Sequence, residues 1–513
     1  MASFRKALGV AAAAVAVAAL ALTGCSSGGG GTGQASATPL PDAEQNLTFI
    51  PNYAVPNVDV TKAPLEIGTN QVMSNVMQAL VKLDDNSIPQ PQLATSWSWT
   101  DSTTLVFKLR TGVTFSDGQP FTADDFVGSL QRYIAEKQAL AAVLAPIVSY
   151  EATDDETVTI KTSYPDGPLV GVLSLVYVGE GSHASDDAWW SKPVGTGPFV
   201  LTDYVANDHV TLTRNDTYWG DKAKLKTLTF KLTTDVNAKV TALSNGSAQV
   251  VNDVTNDQIP TVQGISNVTL TQADSLNYYF LWFENSHSPL DDVRVRKAMW
   301  EALDLPTIVS SLWGDTATPM DSFCPSTAFG CVPAEGLPKY DPDDAKKLLA
   351  DAGYANGVSV DVIFSTANSG LDQLVSAFVS AWKEVGITVT PRAEDGATWL
   401  ADFNAHKWDM DTQPNQTITG DADYTLNRLY QCAAKRLDYC NPDLDKILSQ
   451  AQQSTDQDQR KSLYQQAVNI MAKDVPAIPL FQIKANVAAL NTVQGLHIPP
   501  SEFIDWSTVY LTD

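Results

Sequence analysis

Histidine and cysteine are scarce, five of each in 513 residues, and they are scattered. His183, His209, His287, His406 and His497 form no His-Glu-x-x-His pair, and no Cys-x-x-Cys occurs, which argues against a zinc hydrolase or a small zinc module. A Gly-x-Ser-x-Gly elbow and a phosphate loop ending in Gly-Lys-Ser/Thr are also missing. No catalytic residues, no metal and no cofactor are therefore expected, and a secreted hydrolase lacks the nucleophile–base pair it needs. Asp402 and His406 stand four apart with Asp409 close by, and read as an exposed polar helix face rather than a metal cluster. Asp154-Asp155 and Asp186-Asp187 read as solvated loop charge. Basic residues are few, 33 against 58 acidic ones, for a net charge of −25. Such a surface repels nucleic acid and anionic lipid. After residue 22 no run of about 18 apolar residues appears, so the body is expected outside the membrane.

What is present begins with an address. Arg5 and Lys6 precede an apolar stretch from Leu8 to Leu22, and Leu22-Thr23-Gly24-Cys25 resembles a bacterial lipobox. Residues 1–24 read as a signal peptide. Cys25 reads as the lipidated first mature residue, tethering the body to the outer face of a cell membrane, at the cell surface or in a periplasm. Residues 25–44 hold that cysteine and a Gly/Ser-rich leash without core-forming residues. Export permits disulfides. The remaining Cys324, Cys331, Cys432 and Cys440 allow three pairings. The short-range pairs 324–331 and 432–440 are expected, each closing a loop rich in Pro, Ser, Asn or Asp.

The length suggests roughly three domains of about 150 residues. The most telling stretch is 105–126. Leu105, Phe107 and Leu109 alternate with Val106, Lys108 and Arg110 as in a half-buried strand. Ser116-Asp117-Gly118 marks a turn. Thr122, with Asp124 and Asp125 behind it, marks a helix start. A first strand is expected at Leu47–Ile50 and a helical pattern from Val72 to Leu83. Further helices are expected from Val236 to Leu243, after an Asp291 cap, after Asp341-Pro342, and from Leu371 to Val385, where Gly386 stops the pattern. The last is followed by a strand at Ile387-Thr388-Val389. Helices alternating with strands argue an α/β body with a mostly parallel sheet.

Several segments carry a resemblance in the right order: Pro91-Gln92-Leu93-Ala94-Thr95-Ser96-Trp97, Phe115-Ser116-Asp117-Gly118, Phe121-Thr122-Ala123-Asp124-Asp125-Phe126, Pro193-Val194-Gly195-Thr196-Gly197-Pro198-Phe199, Asn215-Asp216-Thr217-Tyr218-Trp219, and Asp292-Val293-Arg294-Val295-Arg296-Lys297-Ala298. Over about 45–500 the chain resembles the extracellular solute-binding proteins of peptide-type ABC importers, the family of dipeptide, oligopeptide and nickel binders. Pro198 excludes a helix amide cradle behind Gly195 and Gly197, so that Gly-x-Gly reads as a structural turn.

The resemblance implies a periplasmic-binding-protein-like α/β fold, with two α/β lobes joined by crossing strands and a third domain inserted in the first lobe. It assigns 45–70, 190–275 and 490–513 to the first lobe, 71–189 to the insert and 276–489 to the second lobe. Crossings fall near Tyr278–Phe283 and Ile478–Leu490. It further implies a receptor, expected to be a monomer, that closes over a peptide or another small solute and hands it to permease subunits. The candidate lining is Tyr53, Phe283, Asn285, Trp399, Trp408 and the polar run 413–421, with Gln413, Asn415, Thr417, Asp421 and Asp423 singled out. Gly420-Asp421-Ala422-Asp423 and the Cys432–Cys440 loop resemble the dipeptide-binding branch. The chain departs from that branch in having no acid at Thr417-Ile418-Thr419 to meet a peptide ammonium. Either Asp421 or Asp423 takes that role, or the ligand has no free amino end there, which admits oligosaccharides and other solutes.

Overall fold

The computed structural model describes residues 38–233 and 235–513. The expected signal peptide, Cys25 and most of the leash lie outside them.

Eleven strands form one sheet. In chain order they are β1 (Asn46–Ile50), β2 (Phe199–Val205), β3 (His209–Arg214), β4 (Thr227–Lys231), β5 (Val250–Val251), β6 (Val268–Phe283), β7 (Ala317–Pro319), β8 (Val358–Ser365), β9 (Ile387–Glu394), β10 (Met410–Gln416) and β11 (Ala477–Leu490). Their order across the sheet is β9-β8-β10-β6-β11-β5-β1-β4-β3-β2, with β7 on β11. The sheet is mixed rather than mostly parallel. Only the β1–β4, β1–β5, β8–β9 and β8–β10 pairs are parallel. The long β6 and β11 run out and back, so they pair antiparallel with each other, and β6 also pairs antiparallel with β10.

Two hydrophobic cores flank this sheet. One gathers residues from Leu47 to Val262 with 485–511, and the other gathers Tyr278 to Phe481. Val268, Leu270 and Ala273 on β6 pack on the first core, whereas Tyr278, Phe280 and Leu281 belong to the second. On β11 the change falls between Ile483 and Ala485. These are the two lobes, and the passage between them is four residues of β6, 274–277, and Lys484 of β11. The β6–β11 register shifts at this point, between Asp274↔Lys484 and Tyr278↔Gln482. Ser275 fills the irregularity: its hydroxyl donates to Ile483 O at 2.6 Å, and its carbonyl accepts from Gln482 Nε2 at 2.6 Å and Thr327 Oγ1 at 2.7 Å.

Between β1 and β2 the chain inserts a four-stranded antiparallel sheet in the order Ala94–Trp99, Thr104–Leu109, Thr157–Thr162, Ile147–Asp154. Leu105, Phe107 and Leu109 are buried as the alternation requires. The helix Ala123–Ala135 follows, and Asp125 Oδ2 reaches back to accept from Thr122 N at 2.8 Å. The Gly195 turn is a close approach: a Cβ there would sit 1.9 Å from Val76 O, so only glycine fits.

Two local expectations shift. The stretch 72–83 is not one helix. A helix covers Ile67–Met73, a run of buried turns follows, and Val81–Leu83 is a strand. Its apolar residues are buried on every side, so no single helical stripe was present to read. The helix at Val293–Glu301 is capped by Asp292 rather than Asp291, with Asp292 Oδ1 accepting from Arg294 N at 2.8 Å. Asp341 with Pro342, and Leu371–Glu384 with its strand, stand as read. Both short-range disulfides, Cys324–Cys331 and Cys432–Cys440, are formed. The C-terminal segment is locked on by Trp506, whose ring meets Phe49 at 5.0 Å and Phe230 at 6.3 Å. Its burial stabilises by about 2–3 kcal/mol.

Candidate functional site

Polar groups gather where the two lobes meet. Asn52 and Tyr53 follow β1, Asn252 and Asp253 follow β5, and Asn277 and Tyr279 lie on β6 at the lobe passage. Gln416 ends β10 directly opposite Asn277. Glu502 arrives from the C-terminal segment, which is held by the bond from Leu276 N to Pro500 O at 2.9 Å. Each element stops or bends here, so it presents side chains and loop backbone instead of a continuing ladder.

Glu502 ties the groups together. It is buried, sits in the left-handed region at φ 61°, and accepts from Asn277 Nδ2 at 2.6 Å and Asn252 Nδ2 at 2.9 Å. Burial pushes its carboxyl up to about 7, against the two amide hydrogen bonds that favour the anion. Burial also pushes the Tyr53 hydroxyl well above its usual range, helped by Glu502 and Asp253, so Tyr53 stays a neutral donor. Tyr279 is pushed up to about 12, mainly by burial and then by Asp253.

Asp253 differs. Its side chain is 55 % accessible, yet desolvation pushes its carboxyl up. A group crowded by protein but open to solvent is a group inside a cleft. Its cationic neighbour, Lys239 Nζ, is 3.9 Å away and spends a hydrogen bond on Asn252 O at 3.3 Å. Gln416 adds a second signal, because both polar atoms of its side chain are buried without a partner. Such groups are rare in folded proteins and cost roughly 1–3 kcal/mol each.

Of the residues expected to line the site, Tyr53 stands in this cleft. Phe283 is fully buried in the second core, and Trp408 is buried against Phe403 at 5.8 Å. Asn285 binds chain, its Nδ2 reaching Phe283 O at 2.7 Å and Leu437 O at 3.1 Å. Trp399 donates to Asp411 at 2.8 Å and Gln413 donates to the same carboxyl at 2.6 Å. Asn415 donates to Tyr278 Oη at 3.0 Å. Thr417 is buried against Thr425, their hydroxyls 2.8 Å apart. Gln413 and Asn415 are the fourth and sixth positions of β10 and point away from the face carrying Gln416, the seventh.

Asp421 and Asp423 are not free counter-charges. Asp421 caps its helix by accepting from Asp423 N, and accepts from Arg460 Nη2 at 2.7 Å with both partners buried. Asp423 is buried behind it and bonded by Asn427, and burial, then Asp421, pushes its carboxyl well up. The cleft groups Asn252, Asp253, Asn277, Tyr279, Gln416 and Glu502 were not among the residues singled out in the sequence. Gln416 fell inside the polar run already marked; the others carry no local motif.

A cavity of about 630 Å³ lies elsewhere, lined by Gln78, Lys82, Arg110, Tyr218, Trp219 and Phe503 among others, and takes only Ile418 from the second lobe. None of the cleft groups named above lines it. Among the described residues no helix is long and apolar enough to cross a membrane.

Two lobes with a polar cleft at their junction suit the enclosure of a small solute. Residues 89–436 match the model of the bacterial extracellular solute-binding proteins, family 5, and the chain belongs to that family. It is 26% identical over 462 residues to di/tripeptide-binding protein 2 of Pseudomonas aeruginosa, covering 82% of this chain and 86% of that one. It is 25% identical over 458 residues to the dipeptide-binding protein of Escherichia coli, covering 80% and 84%. Among solved structures, the ABC transporter substrate-binding protein CtaP of Listeria monocytogenes shares the fold at a TM-score of 0.83, with 22% identity over 91% of this chain and 99% of that one. The periplasmic binding protein DppA of Helicobacter pylori, in complex with the peptide STSA, matches at 0.77, with 22% identity over 91% and 98%. The chain is a solute-binding protein of the ABC-importer type and not an enzyme.

Proposed function

We propose that the protein is the lipid-anchored receptor of an ABC importer, capturing short peptides in the cleft around Tyr53, Asp253, Tyr279, Gln416 and Glu502. The observation that carries this reading is the pairing of an accessible carboxylate with a buried, unpartnered primary amide in one cleft. Asp253 meets the peptide ammonium, and the Gln416 amide, donor and acceptor together, meets a peptide group. Asp253 thus takes the role that neither Asp421 nor Asp423 is free to fill. Peptide-binding relatives at 25–26% identity support this ligand class, and a haem-binding relative at 25% makes haem the ligand to test against it.

The lobes comprise 45–70, 190–275 and 490–513 against 276–489, with 71–189 inserted. Ligand touching both lobes stabilises the closed arrangement and shifts the population toward it. Cys25 carries the lipid, and permease subunits receive the solute. Native mass spectrometry of the protein as purified, with identification of what it releases, tests the reading. A ladder of peptide masses supports it. A hexose series, a haem or a metal complex as the released mass overturns it.

A further inference from the structure

The far end of β6 from the cleft holds a second arrangement. Glu284 follows the strand directly and is buried to 1 % exposure. Its Oε2 lies 2.6 Å from His406 Nδ1, and Asp438 Oδ2 lies 3.9 Å from the same nitrogen. One ligand atom from each of the three residues falls within 4.8 Å of the other two. These are not the partners that spacing suggested for His406. Asp402 pairs with Arg392 and Lys407, and Asp409 pairs with His287.

The three side chains come from three separate segments, and bonds outside the cluster fix those segments. Glu284 N donates to Asp409 O at 2.9 Å. Asn285 donates to Leu437 O through N at 2.8 Å and Nδ2 at 3.1 Å, joining the chain beside Glu284 to the chain beside Asp438. Asp438 lies inside the loop closed by Cys432–Cys440, and Tyr439 Oη donates to Asp474 at 2.6 Å. The His406 ring stacks on Trp408 at 6.0 Å and 18°.

An ion pair of Glu284 with His406 accounts for the buried carboxylate, and Asp438 brings a second carboxylate to within 3.9 Å of the same imidazole. Among the described residues the only basic group within ion-pair distance of either carboxylate is His406. With a neutral imidazole the cluster carries two negative charges, which one divalent cation balances. We infer that Glu284, His406 and Asp438 form a structural site for a first-row divalent cation, with Zn²⁺ the best fit, clamping the disulfide loop to the end of β6.

One nitrogen and two carboxylate oxygens suit Zn²⁺ or a neighbouring ion, whereas Ca²⁺ asks for six or more oxygens. Metal–ligand distances of about 2.1 Å place ligand atoms about 3.4 Å apart, between the 2.6 and 3.9 Å that separate the imidazole nitrogen from the two carboxylates. Asp438 is 42 % and His406 32 % accessible, so the exposed pair can adjust around a fixed Glu284 and leave the remaining position to water. The site stands seven residues along β6 from Asn277, roughly 23 Å, so it is independent of the solute cleft.

The test uses the full chain carrying Cys25→Ser, which leaves neither a lipid nor a competing thiol at that position, stripped with EDTA and titrated with Zn²⁺ by calorimetry. One Zn²⁺ per chain and a raised melting temperature are expected. Asp438→Asn and Glu284→Gln should each weaken Zn²⁺ by a factor of about ten or more. Asp438→Asn changes an exposed group and keeps the fold. Co²⁺ should give the visible absorption of a low-symmetry four-coordinate site in the parent and lose it in both variants. Absence of Zn²⁺ binding at micromolar concentration overturns the inference. So does undiminished binding in both variants, or binding that is lost on His287→Ala or His497→Ala instead.

Discussion

Asn277, on the strand that passes between the lobes, donates its side-chain N–H to Glu502 Oε1 at 2.6 Å, fixing the C-terminal segment to the crossing. The carboxyl it holds sits near neutrality, raised from its ordinary 4.5 to about 7, chiefly by burial. A carboxyl raised on folding binds its proton more tightly in the native state. Its stabilisation is complete below about pH 4.5 and is lost as pH rises through 7.

Glu502→Gln removes this dependence while keeping an oxygen for one amide. Between pH 5 and pH 8 the parent should lose stability relative to the variant by on the order of 3 kcal/mol. Urea midpoints of both proteins at the two pH values measure it. Asp166 and Asp411, also pushed up to about 7 mainly by burial, titrate alike in both proteins and cancel. Equal pH slopes would show that Glu502 does not titrate in this range.

Gln416→Leu replaces a buried, unpartnered amide with an apolar group of similar size. The empty protein should gain about 1–2 kcal/mol. Binding of an equimolar dipeptide mixture should weaken by a factor of about ten, because the amide's partners are gone. Thermal shift with and without the mixture reads both effects. Loss of stability without loss of binding would return Gln416 to a packing role.

Arg460→Met leaves Asp421 buried without its cation beside the already crowded Asp423. Removing one partner of such a pair costs about 3–5 kcal/mol. Asp421→Asn in the same background should recover a good part of it, since the uncompensated charge is then gone. A double-mutant cycle in guanidinium measures the coupling.

Cys432→Ser with Cys440→Ser opens a loop with a sequence separation of eight residues. The loop-entropy relation puts the cost at about 2.5 kcal/mol. The same change frees the segment carrying Asp438, so Zn²⁺ affinity should fall in the reduced protein as well. An unchanged Zn²⁺ affinity would place Asp438 outside the cation site.

The strands, caps and disulfides were legible because each rests on local chemistry: alternation in 105–109, Asp125 reaching back to Thr122, short loops between paired cysteines. The lining was not. Phe283 and Trp408 border polar sequence, but alternation says only that two faces differ, never which one meets solvent. On β10 the choice between Asn415 and Gln416 is a choice of face, and a one-residue difference reverses it. His406 misled for another reason. Four-residue spacing from Asp402 presumes one continuous helix, yet the helix ends at Asn404 and His406 adopts φ 51°. Its actual partner, Glu284, is 122 residues away. Asn252, Asn277 and Glu502 meet only through the sheet order, which no local pattern encodes.

That sheet order also limits what the molecule can do. One hydrogen-bonded ribbon carries both cores and departs from regular pairing between Asp274 and Phe280 and the facing residues of β11. Sliding the halves past each other, or drawing them apart, would tear backbone bonds along the whole ribbon. Torsion through that short span is the remaining soft coordinate. Any rotation of one lobe against the other has to be absorbed by the few backbone dihedrals of that span, so rigid halves and a short hinge are properties of the same ribbon.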